Sequence, residues 1–158
     1  MLLDLERKTQ GMEKFQRLHN AYKESDYWGD ASYRLAEHCL TNGEYEQARN
    51  LSRQIANNDV ESQLRAHALY LDGRASVLAE QWFEVGDPLN ELVREFPNHS
   101  LRIPAEYWIA EALYRSADYE AAEVRYTQLS KHISNNSENW MGIIPLRQAQ
   151  VLAHQNQW

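Results

Sequence analysis

The chain has 158 residues and a net charge of −7, and its 43% hydrophobic and 25% charged residues are typical of a folded domain. The acidic balance and the lack of a basic stripe argue against a nucleic-acid partner, because phosphate binding requires clustered Lys and Arg. No apolar run approaches the roughly 18 to 20 residues of a spanning helix, so we expect no membrane insertion by this segment. The single cysteine, Cys39, excludes an internal disulfide, and its apolar neighbours predict a buried thiol.

Taken in chain order, the sequence predicts helices separated by regular breaks, and no segment has the sustained apolar alternation of a strand. The first break falls at residues 41–44, between two helical segments. In the next pair of helices, Gly86 and Pro88 should delay or distort the start of the second helix. Pro97 ends that helix, because the residue before a proline resists the helical region. After the last break, Asp118 is placed as the N-cap of the helix that follows.

The same pattern recurs with a period of 37 residues. The recurring columns are Ala31, Ala68 and Ala105; Tyr33, Tyr70 and Tyr107; Ala36, Gly73 and Ala110; and Tyr45, Trp82 and Tyr119. Two helices of about 13 to 16 residues and their turns fill one such period, so the sequence predicts an array of helical hairpins. The small residue of each period should let the second helix approach closely, and the aromatic should wedge the corner of the hairpin. The predicted core includes Leu35, Ala36, Ile55, Leu92, Ile109, Ala110, Ala122 and Leu129.

These columns resemble the tetratricopeptide repeat family. The segments 45–48 and 119–122 are similar to the family's start of its second helix, and Pro97 falls at its inter-repeat proline. The family's usual period is 34, but the stretch "FPNHSLRIPAEYWIAEALYRSADYEAA" resembles a longer variety from bacterial envelope proteins, of the Tol-Pal-associated coordinator and outer-membrane assembly lipoprotein type. The resemblance implies an all-α fold, an α-solenoid of antiparallel hairpins in a right-handed superhelix, and it implies the periplasm or cell envelope as the compartment.

The register predicts one repeat domain over residues 1–158. Its parts are the second helix of an earlier hairpin at about 1–24, three full hairpins at 29–58, 60–97 and 101–134, and the first helix of a further hairpin at 138–158. We therefore expect a segment of a larger multi-repeat protein, whose outermost helices expose apolar faces and self-associate or fray. The side chains expected on those faces are Phe15, Leu18, Ile144, Val151 and Leu152.

The resemblance implies that the first helix of each hairpin lines a concave groove. The residues predicted to face it are Tyr33 and Glu37, Tyr70 and Arg74, and Tyr107, Glu111, Tyr114 and Arg115. A ladder of tyrosines with interspersed charges suits stacking on a peptide and hydrogen bonding to it. The alternative is structural: the tyrosines pack between neighbouring first helices, and Glu37 and Glu111 occupy Arg74.

No pattern predicts catalysis, a cofactor or a metal ion. The six histidines have no helical spacing typical of metal ligands, and no phosphate-binding glycine loop occurs. We therefore expect a non-enzymatic protein–protein interaction scaffold that binds a peptide or partner protein. The alternative is a structural spacer or oligomerisation module without a groove ligand, and the two differ in whether polar groups on the first-helix face are unpaired or mutually satisfied.

Overall fold

The computed structural model describes residues 2–132 and 139–155, with side chains from residue 9, and every regular element in that part is helical. The helices are α1 (Leu2–Ala21), α2 (Trp28–Thr41), α3 (Tyr45–Ala56), α4 (Ser62–Leu78), α5 (Trp82–Glu95), α6 (Arg102–Arg115), α7 (Tyr119–Ser130) and α8 (Ile143–His154), with a short 3₁₀ helix at Asn139–Gly142. The all-α prediction is confirmed. The predicted hairpin end at 134 and last-helix start at 138 lie outside the described residues.

The 37-residue period recurs in the helix boundaries. The first helices of the three hairpins, α2, α4 and α6, end 37 residues apart, and the second helices, α3, α5 and α7, begin 37 residues apart. Each second helix begins with the aromatic residue of its repeat, as Tyr45 does in α3. The helix starts therefore follow the sequence columns, which places equivalent side chains at equivalent points of each hairpin.

One turn geometry joins the two helices of every hairpin. In the first turn, Gly43 has a φ of +82°, and its N–H donates to the Leu40 carbonyl. The next residue, Glu44, donates to the Cys39 carbonyl, which completes a Schellman motif. The other two turns repeat both hydrogen bonds, with Glu80 and Ala117 at φ values of +56° and +62°. Two residues with side chains therefore occupy a conformation that favours glycine.

The helices pack in chain order, each against the next, and the first helices also contact one another. Contacts of α2 with α4 and of α4 with α6 make the first helices one continuous layer. All eight predicted core residues are buried. The close approach expected at Gly73 is confirmed as well, since a Cβ there would lie 2.4 Å from Leu89 of α5.

Gly86 and Pro88 are predicted to delay or distort the start of the second helix, and the delay is not observed. Helix α5 begins at Trp82, at the same phase as its counterparts, and continues to Glu95. Pro88 lies inside the helix and is buried. A proline removes one backbone hydrogen bond from a helix, and burial of an apolar ring offsets part of such a loss.

The predicted exposure of the apolar face of α8 is also wrong. Ile144 and Val151 are fully buried, in a cluster with Tyr126 and Leu129 of α7. Helix α8 covers this face by packing on α7. The other three side chains expected on exposed end faces are half-buried: Phe15, Leu18 and Leu152.

The turn geometry predicts that Ala117→Gly stabilises the protein by about 0.5–1 kcal/mol, because glycine adopts positive φ without the Cβ clash. Gly43→Ala is the reverse control and should destabilise by a similar amount. No atom lies within 4 Å of a Cβ added there, so its effect reports backbone strain alone. Urea unfolding measures both changes, and a destabilising Ala117→Gly would contradict the argument.

Truncation of Leu129 to Ala should cost about 2–5 kcal/mol, because it leaves a cavity where α7 packs on its neighbours. Val124, on the same helix, is 57% exposed, so Val124→Ala is a matched control that should change the stability by less than about 0.5 kcal/mol. Equal losses in the two variants, measured by urea unfolding, would show that Leu129 is not a core residue.

Candidate functional site

Three of the predicted groove residues meet in one cleft on the layer of first helices. Tyr70 and Arg74 come from α4, and Tyr107 comes from α6. The cleft has a volume of about 480 Å³. We call it the aromatic cleft, and its described lining is Tyr70, Arg74, Pro104, Tyr107, Trp108, Trp140 and Ile143.

Aromatic rings form most of the wall of the aromatic cleft. The Tyr107 ring meets Trp108 edge-on at 5.0 Å between centroids, and it meets Trp140 in the same way at 5.6 Å. Only 9% of Tyr107 is exposed, so this tyrosine supports the cleft more than it presents a surface. Tyr70 is half-buried, and burial raises its pKa, so the phenol stays protonated at neutral pH.

Arg74 supplies the charge of the aromatic cleft. Its guanidinium carbon lies 4.2 Å from the centroid of the Trp108 ring, a cation–π contact. One terminal nitrogen, Nη1, is buried without a hydrogen-bond partner. Among the residues whose side chains are described, Arg74 makes no ion pair, so the alternative in which Glu37 and Glu111 occupy it is wrong.

Glu111 does not face an open groove, and its predicted place there is a further error. The residue is 2% exposed, and Arg147 of α8 donates Nε and Nη2 hydrogen bonds of 2.7 and 2.8 Å to its two oxygens. Tyr126 donates its hydroxyl at 3.0 Å, and Arg115 donates at 2.9 Å. Four donors hold this carboxylate inside the structure, where it ties α6 to α7 and α8.

These contacts determine the ionisation of Glu111. Burial alone would raise the pKa of this carboxyl, but hydrogen bonds from Arg147, Arg115 and Tyr126 stabilise the anion more strongly. The net effect is a pKa below the usual 4.5. Glu111 is therefore ionised at neutral pH and forms a buried, charge-assisted contact between helices.

Tyr114 and Arg115 lie away from the aromatic cleft. The Tyr114 hydroxyl is 3.2 Å from Nε2 of His154, whose ring stacks on Tyr119 at 4.6 Å. Arg115 pairs with Glu111, and its guanidinium carbon is 5.6 Å from the centroid of the Trp82 ring. Both predicted groove residues therefore hold neighbouring helices together.

Tyr33 and Glu37 form a separate group on α2. The Tyr33 ring meets His67 of α4 edge-on at 6.1 Å, so it bridges two first helices. Burial, together with the Glu37 carboxylate, raises the pKa of Tyr33 to about 12. Glu37 itself pairs with exposed Arg34 at 2.9 Å. Neither residue lines the aromatic cleft, which begins one hairpin further along the chain, on α4.

Sequence reasoning missed four lining residues of the cleft. Trp108 and Pro104 stand in the same quoted stretch as Tyr107, so their proximity to it was available from the sequence. Trp140 belongs to the 3₁₀ helix, and Ile143 is the first residue of α8. No repeat column contains them, because their position depends on how α8 packs against α6 and α7.

A serine–histidine contact on α1 and α2 has the appearance of a nucleophile and its base. His19 Nδ1 lies 2.7 Å from Ser32 Oγ, but that hydroxyl donates its proton to the Trp28 carbonyl at 2.7 Å and is fully buried. The pair therefore holds α1 on α2 rather than presenting a nucleophile. Cys39 is buried as predicted, and burial raises the pKa of its thiol to about 11.

No protein-family model, curated protein or solved structure matches this chain. Within residues 2–132 and 139–155, no cluster of three or more His, Cys, Asp or Glu side chains is arranged to hold a metal ion. Across the same ranges, no helix has both the length and the apolar character needed to span a membrane.

The Glu111 contacts predict that Glu111→Gln destabilises the protein at pH 7 by about 1–3 kcal/mol, because Arg147 loses its carboxylate partner. The pKa of Glu111 is lowered on folding, so its contribution is present above about pH 4.5 and disappears as the pH falls through the folded value. The difference between wild type and variant should therefore shrink at pH 3, as urea unfolding at both pH values will measure. Glu120 is exposed, so Glu120→Gln is the control variant. If the stability difference between wild type and Glu111→Gln were the same at both pH values, Glu111 would not be the ionised partner of Arg147.

Proposed function

We propose that this chain is a non-enzymatic protein-interaction scaffold of the tetratricopeptide kind, an α-solenoid whose first-helix layer binds a peptide segment of a partner protein. Three findings support the repeat architecture: helix boundaries 37 residues apart, the same Schellman turn in every hairpin, and a layer of first helices in mutual contact. An array of this kind exposes one extended face, which is how helical-repeat proteins recognise partners.

The aromatic cleft is the observation that carries the proposal. It is concave, it lies on the first-helix layer, and its lining is rich in Trp, Tyr and Arg, the residue types enriched at the energetic centres of protein interfaces. Its volume of about 480 Å³ lies within the range of ligand pockets. Tyrosine and tryptophan bring a large contact area and lose little side-chain entropy on binding, which favours recognition of a short segment.

A spacer without a groove ligand is the second candidate, and the mutual satisfaction of charged groups favours it. Glu111 is fully occupied by donors from its own and neighbouring helices. Arg49 of α3 is similarly buried, and it contacts Asp72 of α4 at 3.2 Å and Glu84 of α5 at 2.8 Å. These networks join adjacent hairpins, as a rigid spacer requires. The cleft argues for binding because Arg74 is not part of either network.

The test is selection of displayed random peptides on the immobilised protein, followed by measurement of dissociation constants for the enriched peptides. Tyr70→Ala should weaken binding about five- to thirtyfold, because a central aromatic contact is worth roughly 1–2 kcal/mol. Tyr70→Phe keeps the ring and should retain most of the affinity. Phe83, on α5, is 88% exposed and lies outside the aromatic cleft, so Phe83→Ala is the matched control.

Urea unfolding of the same variants separates binding from stability. Tyr70 also packs on the buried core, so Tyr70→Ala should lose stability, and binding is compared at a urea-free condition where urea unfolding shows the variant to be folded. If no peptide is enriched, or if Phe83→Ala weakens binding as much as Tyr70→Ala does, the scaffold proposal fails and the spacer is favoured.

A further inference from the structure

Among the described residues that line the aromatic cleft, the positive charge of Arg74 has no carboxylate partner. Its described lining contains Arg74 but no carboxylate, in a chain with 23 acidic and 16 basic residues. Other arginines near the first-helix layer are neutralised within the fold, as Arg147 is by Glu111 and Arg102 is by Glu106. Acidic side chains are abundant in this chain, yet none of the described residues places a carboxylate against Arg74, so this charge is suited to an anion from a partner.

The contact with Trp108 leaves Arg74 able to bind an anion. Its guanidinium carbon lies over the ring, and the N–H donors of a guanidinium lie along the edge of its plane. That edge matches a carboxylate, which accepts two parallel hydrogen bonds from arginine. Nη1 of Arg74 is buried and has no acceptor, so the other N–H groups of the half-buried guanidinium are the donors for an anion in the cleft.

The net charge of −7 restricts the kind of acidic partner. A run of acidic residues would meet repulsion from the rest of the surface, whereas a single carboxylate in the cleft contacts Arg74 directly and is screened from charges beyond a Debye length of about 8 Å. The remaining lining is Tyr, Trp, Pro and Ile, which favours a bulky apolar side chain beside the carboxylate.

We propose that the aromatic cleft takes one Asp or Glu side chain, flanked by a bulky apolar residue, from an internal segment of a partner protein. The carboxylate pairs with the edge of Arg74, and the apolar side chain packs on Trp108 and Tyr70. This inference rests on the proposed interaction function and specifies the chemistry that the cleft recognises.

The experiment uses a display library of random seven-residue peptides, joined to the display protein at their C-terminal end so that no terminal carboxylate is free. Selection on wild type should enrich peptides with one Asp or Glu next to an aromatic or aliphatic residue. Replacing that acid by its amide should raise the dissociation constant about tenfold, as expected for the loss of a charge-assisted hydrogen bond. A further peptide has the acidic side chain replaced by its amide but ends in a free C-terminal carboxylate. If this peptide binds as well as the original, the cleft recognises a terminal carboxylate, which would overturn the assignment to an Asp or Glu side chain.

Arg74→Met keeps a long apolar side chain on Trp108 and removes the charge. Selection on this variant should still enrich apolar peptides, but without the acidic preference, and Arg74→Lys should restore part of it. Arg94, 73% exposed on α5, provides the matched control Arg94→Met, which should leave the acidic preference unchanged.

The outcomes separate this inference from the proposed function. Peptides that depend on Tyr70 but carry no acidic preference would overturn the Arg74 assignment and leave the scaffold function standing. If no peptide depends on Tyr70, both proposals are overturned. If Arg74→Met does not fold, the wild-type protein still tests the inference through the dissociation constants of the acidic peptide and its amide analogue. Equal affinity for the two peptides would overturn it.

Discussion

The tight turn between the first and second helix of each hairpin is the constraint on which the rest of the structure depends. A left-handed residue at the same point of three successive repeats reverses the chain in the same way each time. The helix boundaries on both sides of the turn are therefore fixed, and equivalent residues of successive hairpins fall at equivalent heights. This alignment lets Gly73 meet Leu89 closely, and it places Tyr70 and Tyr107 at the same phase of neighbouring helices.

Buried charge networks hold successive hairpins together where apolar packing alone would allow sliding. Arg49 connects α3 to α4 and α5, and Glu111 connects α6 to α7 and α8. Burial of a charged group carries a desolvation penalty. Hydrogen bonds to the partner charge offset this penalty only when the helices are held in the relative position that aligns donor and acceptor. The Glu111 contact also matters for the aromatic cleft, because α8 and the turn before it supply Ile143 and Trp140 to its wall.

Much of the fold was predictable because its signals are local or periodic. The turn at residues 41–44 contains glycine, Asp118 caps α7 through the Ala121 N–H at 3.2 Å, and the predicted core residues are buried. Pro88 shows where local reasoning fails. Its position inside α5 is disfavoured, yet the helix continues and the ring is buried, which depends on tertiary neighbours that no local pattern contains.

By itself the sequence determined the helical class, the 37-residue period, the breaks and the core columns, because helix propensity, capping and apolar spacing act over a few residues. It also indicated that Tyr70, Arg74 and Tyr107 share a face. Only the tertiary structure decided which charges on that face are available. Glu111 is occupied by Arg147 from 36 residues away, and Arg74 meets Trp108 instead of a carboxylate. Pairing of this kind depends on which helices pack together, and spacing along one helix does not encode it.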